Sequence, residues 1–527
     1  MGGLVPRLSR LKMLFLIMLG HLALLAWFHT VDRRLPDGDE LGHILAAEGV
    51  AHQIADQGFA QTWVSAWAAG GDYPPLYALL LGTWATFFPR VIPFPGNLDL
   101  LNTLIFLVSL GLVFILGRRS GGERVGLMAA LFWSLLPLVM AMAHFTMPES
   151  LLTLELLLLT LALDGGRGFS TWKGSLQVGL ALLVGLLTKQ TFAVYAAAVV
   201  APAWWQGWRR GGMPSVKGTL VALIVALPLP LLWASQHRDT QWTYLTTSAA
   251  NTTGASVVDH LLYYPLVLVG SGLGLIWSTL FLLVLLLSRG GIHLRPLRGG
   301  WGWMLLILTL IPKKYPRLVL PVLPLLAVEL ARLVDGLSPS FRRRLLLLAP
   351  LVMLQVAVLV PGLPLPSSRA GLWYPHQVVE LDPNCFQDWI RPAHSGSQGF
   401  ERVYEALRDR LGEDIHEAPP GKGWVVALNT PPIPCTYQTT FGYTVHLRHF
   451  LRWHGLEQGE IPDLSQDPDT LAALDKDAVQ VVISTTPWRC EQGGPLCEVR
   501  NQFGEVGQFY SDDEELPFRL HIYGRHP

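Results

Sequence analysis

The sequence predicts a polytopic α-helical membrane protein with a C-terminal α/β domain outside the membrane. Three observations predict it. Of 527 residues, 51% are hydrophobic and 15% are charged, against about 25% charged in ordinary soluble domains. The missing charge is missing from the first two thirds, where long apolar runs follow one another as spans do. All four cysteines, Cys385, Cys435, Cys490 and Cys497, lie beyond the last apolar run. That placement suggests an oxidising compartment and up to two disulfides, Cys490 with Cys497 and Cys385 with Cys435; four free thiols are the alternative. Acidic and basic residues balance at 39 each, and nothing points to nucleic acid.

The elements follow in order. Arg7, Arg10 and Lys12 precede the first apolar run and place the N-terminus in the cytoplasm. No small-residue cleavage site comes soon after, so the run reads as an uncleaved span at about 13–29. The segment 30–98 is then the first extracytoplasmic loop, with interfacial helices. Its stretch 74–88 is short for a span and reads as half-embedded, which lets Arg118-Arg119 and every later basic loop fall inside. Further spans are expected at about 99–117, 125–143, 150–165, 175–188, 190–206, 218–234, 265–287, 301–312, 317–333 and 345–361, about eleven in all. An odd count puts the C-terminus outside. The expected domains are 1–361 in the membrane and 362–527 outside it. In the second, 424–428, 479–483 and 518–523 read as strands, and 401–411 and 469–474 as helices.

This topology gathers polar clusters on the outer face: Asp37, Asp39, Glu40 and His43; Asp72-Tyr73; Pro148-Glu149; Lys189-Gln190; His260 with Tyr263-Tyr264; and Lys313, Lys314, Tyr315 and Arg317. Such a face suits a lipid-linked phosphosugar. Lysine and arginine hold the phosphate. A divalent cation on carboxylates neutralises it further. Another carboxylate takes the proton of an acceptor. Plainer readings stand beside these. Asp37 or Asp39 caps a helix, the lysines snorkel, Glu149 is a helix N-terminal charge after Pro148, and His260 with its tyrosines packs a loop.

The order of motifs resembles the GT-C glycosyltransferases, in the branch of protein O-mannosyltransferases and lipid A aminoarabinose transferases. Asp39-Glu40 with His43 is similar to that branch's Asp-Glu-x-x-His/Tyr loop. Asp72-Tyr73-Pro74-Pro75-Leu76-Tyr77 resembles its acidic/His-Pro-Pro-Leu-Tyr motif. Pro148-Glu149, Thr188-Lys189 and Pro316-Arg317-Leu318-Val319-Leu320-Pro321 follow in the expected order.

The resemblance implies a bacterial cytoplasmic-membrane enzyme. It would move a monosaccharide, with inversion, from a polyprenyl-phosphate donor to a lipid, glycan or protein acceptor. It implies Asp39 as general base, with Glu40 in a lesser catalytic role, and Asp39 and Asp72 at a divalent metal cation. His43, Asp72, Tyr73, Lys189, His260, Lys313, Lys314 and Arg317 would bind substrate, and Glu149 would hold sugar or acceptor. Tyr73 departs from the Lys or His of relatives, so one phosphate contact is expected to be lost. Gln190 departs from the glycine of Thr-Lys-Gly. The alternative function is a flippase or binding protein for lipid-linked sugar, which needs the lysines but no base.

Overall fold

The computed structural model describes residues 4–31, 38–69, 73–88, 96–143, 145–163, 168–211, 213–243, 257–287, 300–311 and 315–337, together with six short strands between 371 and 525. The chain divides into two compact units. One comprises Met1–Thr30 and His43–Arg391, the other Val31–Gly42 and Pro392–Pro527.

The first unit is a helical bundle. Its elements are α1 (Leu4–Val31), α2 (Gly38–Gln57, entering the unit at His43), α3 (Phe59–Ala69), α4 (Leu76–Phe87), α5 (Gly96–Gly121), α6 (Glu123–Ser134), α7 (Pro137–Met142), α8 (Pro148–Leu163), α9 (Trp172–Thr188), α10 (Phe192–Gly211), α11 (Met213–Ala226) and α12 (Pro228–Gln236). After these come α13 (Val257–Val267), a π-turn at Leu268–Gly272, α14 (Gly274–Leu287), α15 (Trp301–Leu310), a 3₁₀ segment at Pro316–Val322 and α16 (Leu323–Asp335).

These helices follow the expected apolar segments in order, without establishing eleven full spans. Among the described residues one helix, Leu98–Gly121, is long and apolar enough to cross a membrane by itself. Val216–Ala226 and Pro228–Gln236 pass together, bent by 43°. Helix α4 has 12 residues, roughly 18 Å at 1.5 Å per residue, well short of a hydrocarbon core of about 30 Å. Other expected spans are broken. The segment 125–143 divides at Leu135 and Leu136 before Pro137, 218–234 at Leu227 before Pro228, and 265–287 at the π-turn before Gly274. Each break precedes a proline or a glycine, which lacks either an amide hydrogen or a side chain to continue the helix. The segment 345–361 lies outside the described residues.

Helix α8 is the buried axis of the bundle, in contact with α5, α9, α10 and the 3₁₀ segment. Eleven of its 16 residues are buried, including Glu149 and Glu155. Helices α5 and α6 approach closely where glycines face each other: a Cβ on Gly117 would stand 2.9 Å from Gly126 Cα. Small residues at a helix crossing permit this packing in lipid, where dispersion contacts replace the hydrophobic drive.

A two-residue connection joins β1 (Gly371–Tyr374) and β2 (Gln377–Glu380) as an antiparallel hairpin. In the second unit β3 (Val425–Leu428), β4 (Val481–Ser484), β5 (Phe503–Tyr510) and β6 (Arg519–Arg525) form one sheet in the order β3-β4-β6-β5. Strand β3 is parallel to β4, and the other pairs are antiparallel. The helices expected at 401–411 and 469–474, and all four cysteines, lie outside the described residues.

Candidate functional site

Three connections between helices bring one acid and two bases together. Pro148 begins α8 and Glu149 follows it in the first turn, where a carboxylate is favoured by the exposed amide dipoles. Lys189 follows the last residue of α9 as its C-cap, extended at φ −161° and ψ 135°, and its amide donates to Gly185 carbonyl at 3.1 Å. That extended residue turns the chain between α9 and α10 and aims the lysine inward. Arg317 stands in the 3₁₀ segment. Pro321 and Pro324 follow it closely, and each lacks an amide hydrogen for a regular α-helix.

Lys189 Nζ donates to Glu149 Oε1 at 2.7 Å, and Arg317 Nε lies 3.3 Å from the same oxygen. The second contact is an ion pair without hydrogen-bond alignment. All three side chains are buried, at 0%, 4% and 5% exposure for Glu149, Lys189 and Arg317. Burial by itself would push the Glu149 carboxyl up. The charges of Lys189 and Arg317 and the lysine hydrogen bond outweigh it and hold Glu149 well below the usual carboxylate range. Glu149 Oε2 is buried and has no hydrogen-bond partner among the described residues.

Aromatic rings support both cations. Lys189 Nζ stands 4.6 Å over the Tyr73 ring, and Arg317 Cζ 4.6 Å over Tyr315. Such contacts stabilise a cation by about 0.5–2 kcal/mol. Tyr73 also lies against His43, at 5.7 Å between ring centroids, and His43 meets Tyr77 edge-on at 5.1 Å. Two further tyrosines fix the arginine segment. Tyr195 on α10 donates from its hydroxyl to Leu318 carbonyl at 2.9 Å, and the Tyr315 amide donates to Tyr264 hydroxyl at 3.5 Å.

Of the residues named from the sequence, His43, Tyr73, Glu149, Lys189 and Arg317 thus form one connected constellation. Tyr73 is the seat of the Lys189 cation, a role the sequence did not suggest. Glu40 is buried on α2. Asp39 is in the first turn of α2 and His260 is in α13, but their side chains lie outside the described residues. Asp37, Asp72, Lys313 and Lys314 lie outside them altogether. Sequence reasoning did not name Tyr195 for the site; it placed Tyr315 in the outer-face turn with Arg317 without giving it a role, and weighed Tyr264, beside His260, as a sugar contact or as loop packing. Aromatics inside or beside apolar runs carry no signal that separates them from core.

No group of three His, Cys, Asp or Glu able to hold a metal ion occurs among the described residues. Glu149, the acid at the centre, is engaged by two cationic side chains. The described donor set therefore does not fit a divalent cation, and the expected ligands Asp39 and Asp72 are not among its described side chains.

Comparison with known proteins bears on the same elements. Residues 74–233 match the family model of the dolichyl-phosphate-mannose-protein mannosyltransferases. The chain resembles that family. The matched stretch runs from the Pro-Pro-Leu-Tyr motif through Glu149 and Lys189 to α12. In fold, the chain is similar to ArnT from Cupriavidus metallidurans bound to undecaprenyl phosphate, with a TM-score of 0.57 and 15% identity over 96% of this chain and 97% of that one. The apo form of the same ArnT gives 0.56 and 15% identity, over the same shares of the two chains. An Archaeoglobus fulgidus oligosaccharyltransferase in complex with zinc and sulfate gives 0.46 and 11% identity, over 92% of this chain and 69% of that one. Curated protein sequences give no match. The ArnT likeness covers 96% of this chain, so the two proteins share a fold.

Proposed function

We propose that the protein is an inverting glycosyltransferase of the bacterial cytoplasmic membrane that uses a polyprenyl-phosphate sugar donor and an extracytoplasmic acceptor. One observation carries the reading. Three sequence-distant segments converge to bury Lys189 and Arg317 against Glu149, inside a fold shared with a protein that binds undecaprenyl phosphate.

The chemistry follows from the groups present. An ammonium has three donors, and the described contacts of Lys189 use one of them, on Glu149. The remaining hydrogens and the Arg317 guanidinium suit phosphate oxygens, and in a dry site their charges act strongly. Glu149 keeps the two cations side by side against their mutual repulsion. Its free Oε2 is an acceptor for a hydroxyl of the sugar or of the acceptor molecule.

Transfer then proceeds in one displacement. Asp39 takes the proton of the acceptor hydroxyl or amine. The freed electron pair forms the bond to the anomeric carbon as the carbon–oxygen bond to phosphate breaks. The leaving phosphate keeps that bond's electrons, and Lys189 and Arg317 stabilise it. Every step here is carried by the chain's own groups.

The test is Asp39→Asn in membranes supplied with labelled polyprenyl-phosphate sugar. The reading expects transfer to fall by about 10²-fold or more, the usual worth of a general base. Transfer at the wild-type rate in Asp39→Asn would remove Asp39 as the base, whereas no transfer even by the wild type would favour a flippase, which needs the cations but no proton acceptor.

A further inference from the structure

Six residues beyond Glu149, α8 carries a second acid that the phosphate site does not use. Glu155 is 3% exposed and sits in the apolar stretch Leu151–Leu163. An ionisable residue at such a place in a membrane helix is costly and calls for a function. Thr188 Oγ1 lies 2.6 Å from Glu155 Oε1 and 3.1 Å from the Val184 carbonyl oxygen. Glu155 Oε2 is buried without a hydrogen-bond partner, and no basic side chain pairs with this carboxyl among the described residues.

The protons can be counted. A threonine hydroxyl has one hydrogen, so Thr188 cannot donate to Glu155 and to Val184 together. Were Glu155 ionised, it would take that hydrogen and leave the Val184 contact empty. A bare charge would also stand among leucines, which is far more expensive than a neutral acid. With its proton on Oε1, Glu155 donates to Thr188, and Thr188 donates back to the carbonyl four residues earlier, as helical threonines do. Both contacts are then filled.

We propose that Glu155 is held as a neutral carboxylic acid and is a positioning residue for Lys189. Its O–H fixes Thr188, the last residue of α9, and Lys189 is the next residue along the chain. The direction of the lysine toward Glu149 is therefore set from a point deeper in the bundle. Two acids of one helix thus grip two consecutive residues, Glu149 the ammonium and Glu155 the hydroxyl. The consequence for transfer rests on the donor reading above; the protonation and the lysine placement do not.

The test compares full-length wild type with Glu155→Gln and Glu155→Leu in nanodiscs. Glutamine keeps a donor at the same position, and leucine keeps only volume. The carboxylic-acid C=O stretch should appear in the wild-type infrared spectrum at neutral pH and be missing from the Glu155→Gln spectrum. Lys189 should be acetylated by an amine-reactive reagent at the wild-type rate in Glu155→Gln. In Glu155→Leu it should react about tenfold faster, as expected when one buried hydrogen bond is lost. The KM for donor should rise by a similar factor in Glu155→Leu with kcat little changed. An unchanged infrared spectrum, or a glutamine variant that exposes Lys189 as leucine does, would overturn the proposal. If Glu155→Leu does not fold, the infrared comparison and the Glu155→Gln labelling rate still decide. If the wild type transfers no sugar, the donor reading fails, while the infrared and labelling results still decide this one.

Discussion

Lys189 donates to Glu149 Oε1 at 2.7 Å, and Arg317 stands 3.3 Å from the same oxygen. A single carboxylate oxygen at the start of α8 therefore orients two cations delivered by two other segments.

Removing that carboxylate leaves two buried cations facing each other. Glu149→Gln should lower stability by about 3–5 kcal/mol, the usual consequence of breaking a buried ion pair, read as reduced denaturant resistance in detergent. Lys173→Gln, at an exposed position, should stay within about 0.5 kcal/mol. The sign with pH follows from the depressed carboxyl. Its contribution is complete above the ordinary value of 4.5 and is lost as pH falls toward about 2. The difference between wild type and Glu149→Gln should therefore be flat from about pH 5 to about pH 8.

The ring beneath Lys189 gives a separate prediction. Tyr73→Phe keeps the aromatic face and should retain donor affinity within about twofold, whereas Tyr73→Leu should weaken it by about threefold to twentyfold, the range of a partly desolvated cation–π contact. Titration with undecaprenyl phosphate measures both. Equal losses in the two variants would show that the hydroxyl matters and the ring does not.

Arg317 depends on Tyr195, whose hydroxyl holds Leu318 carbonyl at 2.9 Å. Tyr195→Phe removes one buried hydrogen bond and should cost about 0.5–1.5 kcal/mol, or slightly more because a carbonyl is left unsatisfied. Its effect on donor KM should vanish in an Arg317→Met background. A double-mutant cycle measures this, since coupled residues are not additive.

The polar ends of the bundle were legible in the sequence, and the interior was not. Glu149, Lys189 and Arg317 announced themselves as charges interrupting apolar runs, and a charge between spans has few places to go except a shared site. Tyr73 was read as a lost phosphate contact because residue type alone does not tell a ligand from a ring that seats a ligand. Tyr195 looked like core, since an aromatic in an apolar run gives the same pattern either way. Glu155 did leave a signal, a lone acid within the predicted span 150–165, which reading for motifs passed over. The breaks at Leu135, Leu227 and Leu268–Gly272 were hidden because composition stays apolar across them. Only the prolines and glycines beside them marked the interruptions.

The central claim is that the buried Lys189–Glu149–Arg317 cluster holds the phosphate of a sugar donor during transfer. Its most direct test is single-turnover transfer from labelled polyprenyl-phosphate sugar by purified wild type and Lys189→Met in nanodiscs. The account predicts labelled acceptor and free polyprenyl phosphate in equal amounts from the wild type. It predicts a loss of about 10²-fold or more in Lys189→Met, the order expected when a charge-stabilising donor is removed from a dry site. Undiminished transfer by a folded Lys189→Met protein would contradict it.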